Sequence, residues 1–110
     1  MGIDFSVRFE DLRREGTGNV AGKITLRVSG DILGQEFDMP IDARNFNFPR
    51  GGEQQVYNQD FGAAGFTAKI TARVYEHTAG QCCVQGHVHV DAPIGGGVGK
   101  DLDPNCQPIP

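Results

Sequence analysis

The sequence predicts an all-β fold, a small antiparallel β-sandwich or barrel of about six to seven strands. Apolar residues recur at every second position along several stretches, the period of a half-buried strand. No window of ten or more positions carries them at i, i+3, i+4 and i+7, and 16 glycines among 110 residues disfavour helix throughout. A third observation concerns symmetry. Lys23-Ile24-Thr25-Leu26-Arg27-Val28, followed by Gly34-Gln35, recurs 46 residues later as Lys69-Ile70-Thr71-Ala72-Arg73-Val74 followed by Gly80-Gln81, with seven identities in thirteen aligned positions. A unit of that size cannot bury its own apolar face, so two copies point to one core closed between two similar halves, 3–48 and 53–92.

The elements follow in order. Ile3, Phe5, Val7 and Phe9 alternate with Asp4, Ser6, Arg8 and Glu10, the clearest strand in the chain. After a loop carrying Gly16 and Gly18, Ile24, Leu26 and Val28 alternate with Lys23, Thr25 and Arg27 to give a second. Phe37, Met39 and Ile41 form the apolar face of a third, and Pro40, which cannot donate to a ladder, makes it an edge strand or a bulged one. Phe46 and Phe48 have the opposite parity, which calls for a bulge or bend near Arg44-Asn45. Pro49 to Gly52 marks the midpoint, and the polar run Gln54 to Asp60 reads as a poor strand or a long crossover loop. Phe66, Ala68, Ile70, Ala72 and Val74 form another clear strand; Val84, Val88 and Val90 mark the next. In the repeat frame Phe37 and Met39 align with Cys83 and Gln85 rather than with the valines, so the second hairpin turn differs by one residue or a bulge sits near Cys82-Cys83. Residues 1–92 are thus expected to form one β domain, with 93–110, rich in Gly and Pro, a flexible tail tied down only through Cys106.

Composition narrows the function. A net charge of -4 and a pI near 5.2 oppose the basic face that nucleic acid requires, and nucleic acid is not an expected partner. No apolar run approaches the roughly 20 residues of a membrane-spanning helix. Met1-Gly2-Ile3-Asp4-Phe5-Ser6 formally fits an acylation pattern, but Ile3 and Phe5 already serve as a strand face. Among Cys82, Cys83 and Cys106, a crosslink from Cys106 to one of the adjacent pair is geometrically sound, whereas a bridge between neighbours is strained; all three reduced is the other reading.

Two sets of residues could carry chemistry. The first, polar amides with one ring, is Asn45, Asn47, Gln54, Gln55, Tyr57, Asn58 and Gln59, which suit hydrogen bonding to a ligand at one end of the sheets. The second gathers His77, Cys83, His87 and His89, with Cys82, in thirteen residues. His87 and His89, at i and i+2 on a strand, share a face about 6.6 Å apart, a spacing two ligands of one zinc or copper ion can use. Against them, the hairpin sets Arg73, Thr71 or Lys69 opposite, and a cation there repels a dication. Gly95 to Asp101 fails as a phosphate loop, since Ile94 and Asp101 stand where Gly and a hydroxyl residue are needed. Ser6 and Ser29 lie in no nucleophile turn. Pairs such as Asp38 with Asp42 or Asp101 with Asp103 read as solvated carboxylates.

The expected function is a non-enzymatic module that binds a partner protein or small ligand through its inter-strand loops, with no cofactor. The alternative is a metal-binding protein or small metalloenzyme using His87 and His89 with zinc or copper. An edge strand also offers a route to a homo-oligomer.

Overall fold

The computed structural model describes residues 2–78 and 80–110. Seven strands appear in chain order: β1 (Gly2–Glu15), β2 (Asn19–Ile32), β3 (Gln35–Phe48), β4 (Glu53–Ala63), β5 (Phe66–Glu76), β6 (Gln81–Asp91) and β7 (Gly97–Pro108). They form two antiparallel sheets in the orders β1-β2-β3 and β4-β5-β6-β7. Among the described residues no ladder joins the sheets, although β3 runs beside β4 and β1 beside β7, so the fold is a sandwich 50 × 19 × 17 Å in extent rather than a closed barrel. None of the described residues is helical, and no helix is long and apolar enough to cross a membrane.

Alternation places the core. Ile3 and Phe9, then Ile24, Leu26 and Val28, then Met39 and Ile41 face inward from the first sheet. Ile70, Ala72 and Val74 with Val84, Val88 and Val90 meet them from the second. Each Lys-Ile-Thr-x-Arg-Val segment lies in the second strand of its sheet, with the same three positions buried. The hairpins that follow differ by one residue: Gly30 pairs with Phe37, whereas Glu76, 46 positions on, pairs with Cys82 and not with Cys83. That shift, with no bulge in the β5–β6 ladder, turns Cys82, Val84, Val88 and Val90 to the interior.

Bulges reset the parity elsewhere. On β3 an extra residue at Asp42–Ala43, just before Arg44-Asn45, moves burial from Met39 and Ile41 to Phe46 and Phe48. On β1 the ladder shifts between Glu10 and Arg13, with Asp11 in the left-handed region at φ 53°, so Leu12 is buried and Arg14 half-buried. Pro40 sits on β3, an edge strand, as its missing N–H requires.

Of the two readings of the polar run Gln54 to Asp60, strand holds and crossover loop does not: it is the body of β4, where a bulge between Gln55 and Tyr57 lets Val56 and Tyr57 both be buried. One expectation needs correction. Residues 93–110 are not a tail outside the domain, because Gly97–Pro108 forms β7, paired with β6, with Leu102 in the core and Cys106 bonded to Cys83. The glycines there make room for neighbours. A Cβ on Gly97 would meet Asp91 and His89, and one on Gly99 would meet His87 and His89.

Candidate functional site

A polar groove of about 420 Å³ opens on the first sheet, lined by Asp11, Arg13, Glu15, Gly22, Lys23, Asn45, Phe46, Asn47 and Gln54. The two bulges build it. After the β1 bulge, Asp11, Arg13 and Glu15 are exposed while Leu12 fills the core, and the β3 bulge leaves Asn45 and Asn47 exposed while Phe46 and Phe48 are buried. In the ladder Asn45 stands opposite Lys23 and Asn47 opposite Ala21. Gly22 admits no side chain, since a Cβ there would meet the Phe46 ring at 3.0 Å and the Glu10 carbonyl at 3.1 Å.

The amides of the groove are held through their oxygens. Asn19 Nδ2 donates to Asn47 Oδ1 at 2.8 Å, and the backbone N–H of Asn47 donates to Gln54 Oε1 at 2.9 Å. The NH₂ groups of Asn47 and Gln54 are therefore held in place and free to donate to a ligand. Charge in the groove is nearly balanced, with Arg13 on Glu15 at 2.8 Å and Lys23 near Glu10 at 4.0 Å.

Of the seven amide-set positions, then, Asn45, Asn47 and Gln54 come together and the other four do not. Tyr57 is 1% exposed, and its hydroxyl donates to the Asp42 carbonyl at 2.6 Å, tying β4 to the β3 bulge across the sheets. Burial pushes that phenol up to about 12, so it stays protonated. Its ring lies 5.1 Å from the Arg44 guanidinium, which also donates to Gln59 Oε1 at 2.6 Å. Gln55 lines a separate shallow depression with Thr71, Arg73 and Gln85, and Asn58 is exposed on β4.

The histidine–cysteine set also divides. Cys83 is bonded to Cys106, directly opposite it on β7, and so is no thiolate ligand. His77 follows β5 and packs edge-on to Tyr75 at 6.3 Å, at the far end of the sheet from His89. His87 and His89 do share the outer face of β6, opposite Thr71 and Lys69 on β5. Among the described residues no three His, Cys, Asp or Glu side chains are grouped to hold a metal ion. Cys82 is in the core, and burial, with Glu76 adding to it, raises its thiol to about 12, an unreactive state at neutral pH.

One feature had a sequence signal that stops short of it. Continuing the β5 parity past Val74 points Glu76 inward, and its side chain is indeed 2% exposed. Arg14 makes a two-pronged contact with it, Nη1 to Oε1 at 3.1 Å and Nη2 to Oε2 at 2.6 Å. The N–H groups of Gly51 and Gly80 donate to the same carboxylate at 2.7 and 3.0 Å. Arg14 first, then these amides, hold the acid down at about 2. Every lone-pair direction is used inside the chain, which makes Glu76 a structural latch and leaves it no proton to move in chemistry.

A larger cleft, about 860 Å³, lies at the opposite end between β1, β3 and β7, with Ile3, Phe37 and Val98 below a rim of Asp4, Asp31, Glu36 and Asp38. Most of its polar groups serve the chain. Asp38 binds Arg27 at 2.6 Å, Asp31 accepts from the Gly34 N–H, and Lys100 donates to the Ile3 carbonyl at 3.1 Å. No protein-family model, curated protein or solved structure matches this chain.

Proposed function

We propose that this chain is a non-enzymatic β-sandwich module that binds a small polar ligand, or the polar segment of a partner protein, in the groove of Asn45, Asn47 and Gln54. The observation that carries the reading is the pair of amides locked by their oxygens with their donors unspent. Side chains already held in place lose little entropy on binding, which favours recognition. The near balance of Arg13 and Lys23 against Asp11 and Glu15 favours a neutral, hydroxyl- or amide-rich ligand over a strongly ionic one. A non-enzymatic role is supported by the buried titratable groups: Glu76 and Tyr57 are committed to internal partners, and Cys82 is held as an inert thiol.

Amide NMR spectra recorded against a panel of neutral sugars and short Asn/Gln-containing peptides test the reading. Perturbations concentrated at Asn45, Asn47 and Gln54, and lost in Asn47→Ala, support it. Shifts confined to the Ile3–Phe37–Val98 cleft, or none across the panel at millimolar ligand, overturn it.

A further inference from the structure

On the outer face of the second sheet, far from the groove, the imidazoles of His87 and His89 are arranged around a single point. His87 Nδ1 lies 2.8 Å from Asp101 Oδ1, and His89 Nε2 lies 3.1 Å from Asp91 Oδ1. The other two ring nitrogens, His87 Nε2 and His89 Nδ1, come within 3.2 and 3.3 Å of the position a Cβ would take on Gly99. That point is at bonding distance from the Gly99 Cα and cannot itself hold an ion, but Gly99 carries no side chain to stand between the two nitrogens on the outward side. We propose that His87 and His89 form a two-imidazole site for a divalent transition-metal ion above Gly99, with copper(II) bound most tightly and zinc more weakly.

The chemistry follows from which nitrogen each carboxylate takes. A ring whose one nitrogen donates its proton to Asp101 or Asp91 presents a lone pair on the other, and a carboxylate behind a ligating imidazole both orients the ring and makes it a better donor. Metal–imidazole bonds are about 2.0–2.1 Å, and side-chain rotation of rings 51% and 43% exposed can bring both nitrogens to one ion outward of Gly99. Water completes the coordination, since Asp91 and Asp101 serve behind the rings rather than on the ion. Copper(II) heads the affinity order for nitrogen donors, which is why it is the first probe. Lys69 faces His89 across the β5–β6 ladder and works against the charge of the ion.

Copper(II) and, separately, zinc titrated into the full chain by calorimetry, with electron paramagnetic resonance of the copper form, provide the test. One ion per chain with two equatorial nitrogens is expected. His87→Ala or His89→Ala should weaken binding at least about tenfold, and Asp101→Asn roughly tenfold. Gly99→Ala keeps both histidines but fills the point between them, and should weaken binding comparably. Lys69→Gln should tighten it by a few-fold. Thermal melts of each variant establish that it is folded. No binding at 100 µM copper, or binding that survives His87→Ala together with His89→Ala or is indifferent to Gly99→Ala, overturns the proposal.

Discussion

The two ends of the sandwich are held by different forces. At one end the buried Glu76 carboxylate gathers Arg14 from β1, Gly51 from the β3–β4 crossover and Gly80 from the β5–β6 turn, and the Ile109 N–H donates to the Gly80 carbonyl at 2.7 Å. At the other, Phe37 packs on Phe66 at 5.0 Å, Gly65 lies against Pro93, and Lys100 reaches the Ile3 carbonyl, leaving the 860 Å³ cleft open. A carboxylate with four donors is directional and fixes several loops at once. Apolar packing is tolerant of gaps, and a cleft survives beside it. The polar groove lies toward the latched end, where its amides inherit that rigidity.

The sharpest way to break this contrast is Glu76→Ala. It leaves two backbone donors and a half-buried Arg14 without their acceptor, and the loss should reach about 3 kcal/mol, read as a fall of about 10 °C in Tm. A loss below about 1 kcal/mol would mean that the carboxylate contributes no more than a surface ion pair. The same group sets an acid sensitivity. Its folded value of about 2 lies below the ordinary 4.5, so its contribution is complete above pH 4.5 and drains away as pH falls toward 2. Glu76→Gln should flatten the stability profile in that window; Asp38, also lowered by Arg27, leaves a gentler slope of the same sign.

Comparable in size is the Cys83–Cys106 bond, which spans 23 residues. On the chain-entropy account, replacing both cysteines by serine costs about 3 kcal/mol. Hydrogen exchange should accelerate first in β7, an edge strand with only Leu102 deep in the core, and not in β2. If β2 opens in step with β7, the bond supports the whole sandwich and not one edge. Tyr57→Phe strands the Asp42 carbonyl and should cost about 1 kcal/mol in chemical denaturation. Lys100→Ala, at the open end, removes one partly buried hydrogen bond and a cation 5.6 Å from the Phe5 ring, for about 0.5 kcal/mol. Should Lys100→Ala rival Glu76→Ala, the two ends are alike and the contrast fails.

Much of the sandwich was legible because the central strands β2 and β5 alternate over their repeat segments without interruption. Ile24, Leu26 and Val28, like Ile70, Ala72 and Val74, could face only one way together, and the wet positions between them carry charge. The parity conflict at Phe46 and Phe48 revealed a bulge within a residue or two of its place. Arg14 was not legible, since nothing in Asp11-Leu12 announces the shift that turns it inward. Tyr57 and Gln54 sat in a run polar enough to leave strand and loop both open, because β4 has a wet outer face and needs few apolar residues. In β7 the glycines suggested flexibility, whereas they clear space for the β6 side chains.

Alternation and glycine content were enough to settle the all-β class, the inward faces of β2, β5 and the first halves of β1 and β3, and the exclusion of a helical span, because these depend on neighbours along the chain. Which amides share a groove, which cysteine is bonded, and which carboxylate is buried were decided only when the strands assembled. A bulge of one residue swaps inside for outside, and its position is chosen by the partner strand and the opposing sheet rather than by the local residues.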